Sequence, residues 1–463
     1  MKKTALILAA GQGTRMKSKT PKVLHKVCGK PMLSCVIDAA AGAGIEENIV
    51  VIGHGAVEVR ERFAEAGVKF AVQEHQLGTG HAVMMAKDLL PEEGLVLVLC
   101  GDTPLITAGT LEKLIAYHER QGNTLTVLTA RVEDPFGYGR IVRGDAGGLL
   151  KIVEEKDADE ETKEIDEINS GMYCFEAGFL KNSLGKLTND NAQQEYYITQ
   201  LIEIALAEGA KAGAVAVKDA DEIMGVNNRV QLADAEALMR RRINRRHMME
   251  GVTFIDPAAA YIDFDVQIGR DTRIGPGVIL RGKTVIGEDC EIGQNCRIED
   301  SVIGNGVSIQ SSTILESTVG DETTIGPCAY LRPHAHLGRK VKIGDFVEVK
   351  NASIGDGSKA SHLAYIGDAD VGREVNIGCG VVFVNYDGIN KFRSVVEDDA
   401  FIGSNSNLIA PVHVEKQGYI AAGTTISRDV PEGSLVVGRP KERVIPTWGA
   451  RKYNQKKEKK NAK

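Results

Sequence analysis

The stretch Leu8-Ala9-Ala10-Gly11-Gln12-Gly13-Thr14-Arg15-Met16 follows a short apolar run near the amino terminus. Gly11 and Gly13 let the backbone turn tightly enough for its N–H groups to face phosphate oxygens. Met16 stands where a dinucleotide fingerprint needs a third glycine, and no P-loop ending follows. Arg15 and, after Pro21, Lys22 set two cations beside the loop, which suits the charge of a triphosphate. Cys100-Gly101-Asp102-Thr103-Pro104-Leu105 ends a very apolar run. A carboxylate there can hold Mg²⁺ on phosphates. The competing reading of Asp102 is a turn or helix N-cap, since Thr-Pro follows.

A second group of polar residues comes late in the chain: Arg332, Lys350, His362, Tyr365, Asn376, Asn385-Tyr386-Asp387-Gly388 and Lys391. Arg332 and Lys350 interrupt an otherwise regular pattern and suit a sugar phosphate. His362 suits removal of a proton from an amine as it attacks a thioester. The bland reading, a structural histidine, yields to the company of Tyr365, Asn376 and Lys391. Zinc on His334, His336 and His362 is a rival, but no Cys/Asp set completes it and Pro333 stiffens the segment.

The elements that must carry these groups are legible in two styles. In the first half, Leu6–Ala10, Ile49–Ile52, Leu95–Cys100 and Leu125–Ala130 read as strands. Met32–Gly44, Val57–Ala66, Gly80–Leu90 and Thr110–Gln121 read as helices. That alternation predicts an α/β domain, Rossmann-like, with a mostly parallel sheet and ligands at the carboxyl ends of its strands. Residues 228–250 contain no Gly before Gly251 and no Pro, and predict a long linker helix whose arginines form a solvated or acid-paired face. From Tyr261 the period changes to six: Ile262, Ile268, Ile274, Leu280, Ile286, Ile292 and Ile298, often with Gly next. A six-residue apolar period fits a β-solenoid with three short strands per triangular coil. Five-residue steps, Ile298 to Ile303 and Val349 to Ile354, mark slips, and Val384–Arg393 breaks the period as an external loop. The tail from Arg451 is strongly basic and reads first as a disordered end, second as an arm on a neighbouring subunit.

With 463 residues, about three domains are expected. Fifty-one glycines and one tryptophan favour many repeated tight turns. A net charge of −7 excludes a broad nucleic-acid surface. No run approaches the ~18 apolar residues of a membrane span. Eight cysteines without a CxxC pair read as buried or incidental thiols in a reducing compartment, hence cytoplasmic. The apolar run after Met1-Lys2-Lys3 is at the short limit for an export signal and reads as a buried first strand.

The glycine loop, with Pro21-Lys22-Val23-Leu24 and Gly101-Asp102-Thr103-Pro104-Leu105, resembles the sugar-1-phosphate nucleotidyltransferases. Gln73, Leu77-Gly78-Thr79-Gly80-His81-Ala82, Tyr138-Gly139-Arg140, Ile152-Val153-Glu154, Glu167-Ile168-Asn169 and Gly225-Val226-Asn227-Asn228-Arg229 sharpen the match. Together with the hexapeptide solenoid they are similar to the bacterial bifunctional family of N-acetylglucosamine-1-phosphate uridylyltransferase/glucosamine-1-phosphate N-acetyltransferases, over essentially the whole chain. The resemblance implies that Leu8, Ala9, Ala10, Gly11, Lys22, Gln73, Gly78 and Thr79 bind UTP, and that Gly139, Glu154 and Asn169 hold the amino sugar. It implies Arg15 and Lys22 as catalytic cations and Asp102 and Asn227 as Mg²⁺ ligands, Asn227 also touching the nucleotide sugar. In the solenoid it assigns Arg332, Lys350, Tyr365, Asn376 and Lys391 to the acetyl acceptor and His362 to the base. Cys379, Asn385, Tyr386, Ser404, Ala422 and Arg439 would line acetyl-CoA. Cys100 stands where the family commonly has Tyr, and Cys379 where it commonly has Ala.

The resemblance further implies a left-handed parallel β-helix and a homotrimer, with no nucleic-acid partner and no membrane insertion. The expected domains are residues 1–227 (uridylyltransferase), 228–250 (linker helix), 251–446 (acetyltransferase β-helix) and 447–463 (basic tail). Two rivals stand beside this reading: a nucleotidyltransferase for another sugar or nucleotide with a regulatory solenoid, and a trimeric scaffold with a vestigial one.

Overall fold

A computed structural model describes residues 1–145 and 147–461. The chain forms two compact units, Met1–Arg246 with Ile262–Phe264, and His247–Tyr261 with Asp265–Lys463.

The first unit is built on a sheet whose central strands are apolar on both faces, as parallel strands covered on both sides must be. The strand order is Ala212–Ala216, Leu125–Arg131, Glu167–Glu176, Leu95–Cys100, Lys3–Ala9, Glu47–Ile52, Lys69–Val72. Alternate residues feed two cores. Ala5, Ile7, Leu97 and Leu99 pack with Leu33 and Val36 of helix Met32–Gly42 and with Leu111 and Leu114 of helix Ala108–Gln121. Leu6, Val96 and Val98 pack on the other side with Ala82, Val83, Leu201 and Ile202. Each fully buried aliphatic side chain contributes about 1.5–3 kcal/mol. Helix Ala108–Gln121 starts where the Thr107 hydroxyl accepts from the Thr110 N–H (3.2 Å) and stops at Gly122, φ 60°.

Glu167–Glu176 runs antiparallel to both neighbours, with a bulge between Asn169 and Tyr173. The hairpin Arg140–Arg143/Leu149–Val153 pairs with it at Ile168. From Lys3–Ala9 the chain builds outward to Lys69–Val72, then returns to place Leu95–Cys100 on the other side of the first strand. The carboxyl ends of these two strands therefore form a topological switch point, where such sheets bind ligands.

The second unit is a left-handed parallel β-helix. A rung pairs with the third rung along: Gln267–Ile268 with Val285–Ile286, Arg273–Ile274 with Glu291–Ile292, Ile279–Arg281 with Arg297–Glu299. Three rungs thus make one coil. Ile262, Ile268, Ile274, Leu280, Ile286, Ile292 and Ile298 are all buried and stack coil upon coil. Coils approach closely where the glycines sit: a Cβ on Gly269 would lie 2.6 Å from the Glu288 nitrogen. The segment between strands Val382–Val384 and Ser394–Val396 leaves the coil as a loop held by a Tyr386–Lys391 bridge.

The tail corrects the reading of a disordered end. Trp448–Asn461 is helical with no buried side chain. Its Lys, Gln, Arg and Ala residues are good helix formers without Pro; residues 462 and 463 lie outside the described residues. The linker expectation lands on helix Arg229–Met249, in which Arg242 pairs with Asp219 at 3.4 Å. No helix among the described residues is long and apolar enough to cross a membrane.

Candidate active sites

At the switch point, Leu8 and Ala9 end the first strand, and Ala10–Gly13 form the loop before a 3-10 turn, Thr14–Met16. Gly13 is left-handed, φ 61°, and a Cβ on it would meet the Lys22 Cβ at 2.8 Å. A side chain at Gly13 would therefore displace Lys22. At Gly11 a Cβ would meet no described atom within 4 Å. Arg15 sits exposed on the 3-10 turn.

Lys22 is where the site closes. Its ammonium pairs with Asp102 and donates to Asn227 Oδ1 at 2.6 Å. Asp102 is delivered by the strand Leu95–Cys100, and its carbonyl accepts from the Val226 N–H at 2.9 Å. That bond draws Asn227 towards Asp102. The competing cap reading of Asp102 is not what its side chain does here, since it faces a lysine. Two oxygen donors already gathered around a cation are a hard donor set, the kind Mg²⁺ accepts. Among the described residues no three His, Cys, Asp or Glu side chains gather to hold a metal by themselves.

Gln73 is buried; its Nε2 donates to the Gly78 carbonyl (3.1 Å) and lies 3.0 Å from His81 Nδ1. Thr79 opens the helix Thr79–Met85, and its hydroxyl accepts from the Ile198 N–H at 3.2 Å. The third cluster joins the hairpin to the antiparallel strand. A Cβ on Gly139 would lie 3.3 Å from Glu154 Oε2 and 3.5 Å from the Asn169 Cβ. Gly139, Glu154 and Asn169 thus converge. Burial pushes the Glu154 carboxyl up, opposed by the Thr199 hydroxyl at 3.4 Å. Asn169 Nδ2 donates to the Tyr173 hydroxyl at 2.8 Å.

Cys100 takes part in this geometry. Its thiol donates to the Gly171 carbonyl at 3.4 Å, inside the bulge that carries Asn169. Burial and then the Asp102 charge push the thiol up to about 12, so it is a neutral donor and not a nucleophile.

In the solenoid, stacking brings together residues one coil apart. Tyr330–Leu331 precedes Arg332, whose Nη1 donates to Glu348 Oε1 at 2.9 Å. Lys350 lies 3.5 Å from Asp368 Oδ2. Asp368 also accepts from Asn351 and from Asn385, and Asn385 Nδ2 donates to the Tyr365 hydroxyl at 3.4 Å. Burial opposes ionisation of Asp368, but hydrogen bonds from Asn351 and Asn385 and the Lys350 charge hold its carboxyl below the usual range. Lys391 is held below the ordinary lysine value by hydrogen bonding with Lys350 and by its charge. Arg332, Lys350, Tyr365, Asn385 and Lys391 therefore form one neighbourhood with Asp368 at its base. The Tyr386 hydroxyl donates to the Gly388 carbonyl (2.5 Å).

His362 ends the strand Lys359–His362, with its Nδ1 on Asp345 Oδ1 at 2.6 Å. Asn376 pairs in register with Phe401, and Phe401 with Tyr419. The positions three residues further, Cys379, Ser404 and Ala422, consequently fall on one corner of successive coils. Arg439 lies one position past that column, level with Gly423, whose Cβ would lie 3.5 Å from Arg439 Cδ. His334 and His336 do not join His362: His336 Nδ1 meets the Thr318 hydroxyl at 2.8 Å, one coil towards the amino end.

Sequence reasoning missed Asp345, Glu348 and Asp368. Each lies one coil from a residue it did single out: one coil back from His362 for Asp345, and one coil on from Arg332 and Lys350 for Glu348 and Asp368.

The nucleotidyl transferase family model matches residues 4–225, and the GMPPB C-terminal domain model residues 258–332. Among curated proteins, the Bifunctional protein GlmU of Clostridioides difficile (strain 630) is 57% identical over 452 residues, 98% of each chain. That of Alkaliphilus oremlandii (strain OhILAs) is 60% identical over 458 residues, 99% of this chain and 100% of the relative. That of Alkaliphilus metalliredigens (strain QYMF) is 56% identical over 457 residues, covering 99% of this chain and all of the relative.

Proposed function

The chain belongs to the GlmU family of bifunctional enzymes, and we propose that the switch-point cluster and the solenoid cluster are its two active sites. It is a uridylyltransferase and an acetyltransferase on one chain, serving the synthesis of UDP-N-acetylglucosamine for envelope polymers.

In the solenoid, the amine of glucosamine-1-phosphate attacks the thioester carbonyl of acetyl-CoA. The N–C bond forms, the C–S bond breaks, and His362 takes the amine proton. Arg332, Lys350 and Lys391 receive the phosphate, with Tyr365 and Asn376 orienting the acceptor. Cys379, Asn385, Tyr386, Ser404, Ala422 and Arg439 line the coenzyme. As the family resemblance implies, the assembly is a homotrimer in the cytoplasm, with the coenzyme between neighbouring chains.

In the first unit, a phosphate oxygen of N-acetylglucosamine-1-phosphate attacks the α-phosphorus of UTP in line, and pyrophosphate leaves. The nucleophile is already an oxyanion, so positioning and charge neutralisation supply the catalysis. The loop Leu8–Gly11 with Arg15 and Lys22 receives the triphosphate. Gln73, Gly78 and Thr79 also bind UTP, and Gly139, Glu154 and Asn169 hold the amino sugar. Asp102 and Asn227 would hold Mg²⁺, which when bound neutralises the charge that develops on the leaving pyrophosphate.

The observation that carries the assignment is the Lys22 ammonium held by both Asp102 and Asn227 at the switch point. The GMPPB C-terminal match ends at residue 332, before His362, Asn376 and Asn385, so a merely regulatory solenoid leaves that constellation unexplained. The test is thiol release from acetyl-CoA with glucosamine-1-phosphate, followed by UTP and measurement of pyrophosphate. Turnover of UTP without thiol release would restore the regulatory-solenoid rival. A stable monomer in sedimentation, fully active in acetyl transfer, would refute the trimer.

A further inference from the structure

His362 ends the rung Lys359–His362, and one coil earlier the rung Lys342–Asp345 ends on Asp345. The parallel register sets these two residues opposite each other. In such a ladder, side chains at paired positions leave the same face. The outcome is the 2.6 Å contact between His362 Nδ1 and Asp345 Oδ1. Gly344 permits it: a Cβ there would collide with the Ser361 carbonyl oxygen, so the two coils could not close at the pair. The neighbouring charges are committed elsewhere, Glu348 to Arg332 at 2.9 Å and Asp368 to Lys350 at 3.5 Å. Among the described residues, Asp345 is the carboxylate that meets the ring.

An ionised carboxylate only accepts hydrogen bonds, and the bond from His362 holds Asp345 below the ordinary carboxylate value. Nδ1 therefore carries the proton and Nε2 keeps its lone pair. We propose that Asp345 is a positioning residue of acetyl transfer, fixing the His362 tautomer and ring orientation so that Nε2 takes the amine proton. This rests on the reading of His362 as the base. As the N–C bond forms and the C–S bond breaks, the proton moves from nitrogen to Nε2 and on to the departing thiolate. The imidazolium formed in between is countered by the Asp345 charge.

The experiment compares thiol release against pH for the full chain and for Asp345→Asn, Asp345→Glu and His362→Ala. Asp345→Asn keeps the shape and removes the charge. Its kcat falls on the order of 10- to 100-fold, with KM for glucosamine-1-phosphate and acetyl-CoA unchanged within about twofold. Asp345→Glu recovers part of kcat. If His362→Ala loses activity while Asp345→Asn keeps native kcat, Asp345 has no positioning role and the base stands. If Asp345→Asn lowers kcat but also raises both KM values, and Asp345→Glu recovers nothing, the contact only supports the coil and the proposal fails. If His362→Ala stays active, the base reading falls and takes this proposal with it.

Discussion

The two polar clusters are assembled by opposite means. In the first unit, Lys22, Asp102 and Asn227 come from three distant stretches of sequence, gathered where the sheet reverses its direction of growth. Their charges meet one another, cation on carboxylate. In the solenoid, Asp345 and His362, Glu348 and Tyr365, or Lys350 and Gly367 meet because each coil repeats the register of the one before. There Arg332 and Lys350 also have carboxylate partners, Glu348 and Asp368, but a further cation, Lys391, crowds against Lys350 and is depressed by it. A cluster of matched charges suits a ligand that brings its own cation, and a cluster with a cation in excess suits a bare phosphate. The two clusters thus differ in the electrostatics they would offer a phosphate.

The largest expected effect separates the two regions outright. His362→Ala lowers thiol release by ~10²–10⁴-fold and leaves pyrophosphate release untouched. Raising pH restores part of the loss, because more free amine then exists. Retained acetylation at neutral pH would return His362 to a packed surface histidine. The mirror experiment is Asp102→Ala, which lowers pyrophosphate release by about 10²–10³-fold while acetylation persists. Near-normal UTP chemistry in that variant would refute the metal assignment.

A smaller effect tests whether Asp368 organises the cation cluster. Asp368→Ala leaves Lys350, Asn351 and Asn385 without their shared acceptor, and KM for glucosamine-1-phosphate rises on the order of tenfold. Because its carboxyl is held below the usual range, Asp368 stabilises the fold fully above the ordinary carboxylate pKa of about 3.9. That contribution disappears as pH falls through the depressed folded value. Acid unfolding of the second unit, followed by circular dichroism, therefore begins at higher pH in Asp368→Ala; coincident curves would contradict this. The smallest effect concerns Cys100→Ser. A hydroxyl replaces the thiol as donor to Gly171, and the amino-sugar KM stays within about twofold. A tenfold change would mean that the thiol itself contacts substrate.

Much of this was legible in the sequence. The period of six located the buried Ile and Leu ladder because inward positions must be apolar in every coil. The strand Leu95–Cys100 was legible from its apolar run and the helix after it from its composition and spacing over Thr110–Gln121; the Thr107 cap starts that helix two residues earlier, at Ala108. Glu167–Glu176 escaped as an antiparallel insertion, since its alternation is broken by the bulge at Asn169 and nothing local states which strands it joins. Asp345 and Asp368 escaped for another reason. Outward-facing residues carry no period, and their partners become visible only when the coil length is added. The tail helix Trp448–Asn461 escaped because its charge density resembles that of a disordered end, while the structure follows the helix propensity of its Lys, Gln, Arg and Ala residues.

The proposal that two independent active sites share one chain and pass a product between them is tested most directly by mixing separately purified Asp102→Ala and His362→Ala proteins with glucosamine-1-phosphate, acetyl-CoA and UTP, and measuring UDP-N-acetylglucosamine. Each variant alone blocks the conversion, one after acetylation and the other before it. The mixture restores product, because N-acetylglucosamine-1-phosphate released by the first variant is used by the second. A mixture that remains as inactive as its components, with each half-reaction intact in the expected variant, would contradict the claim.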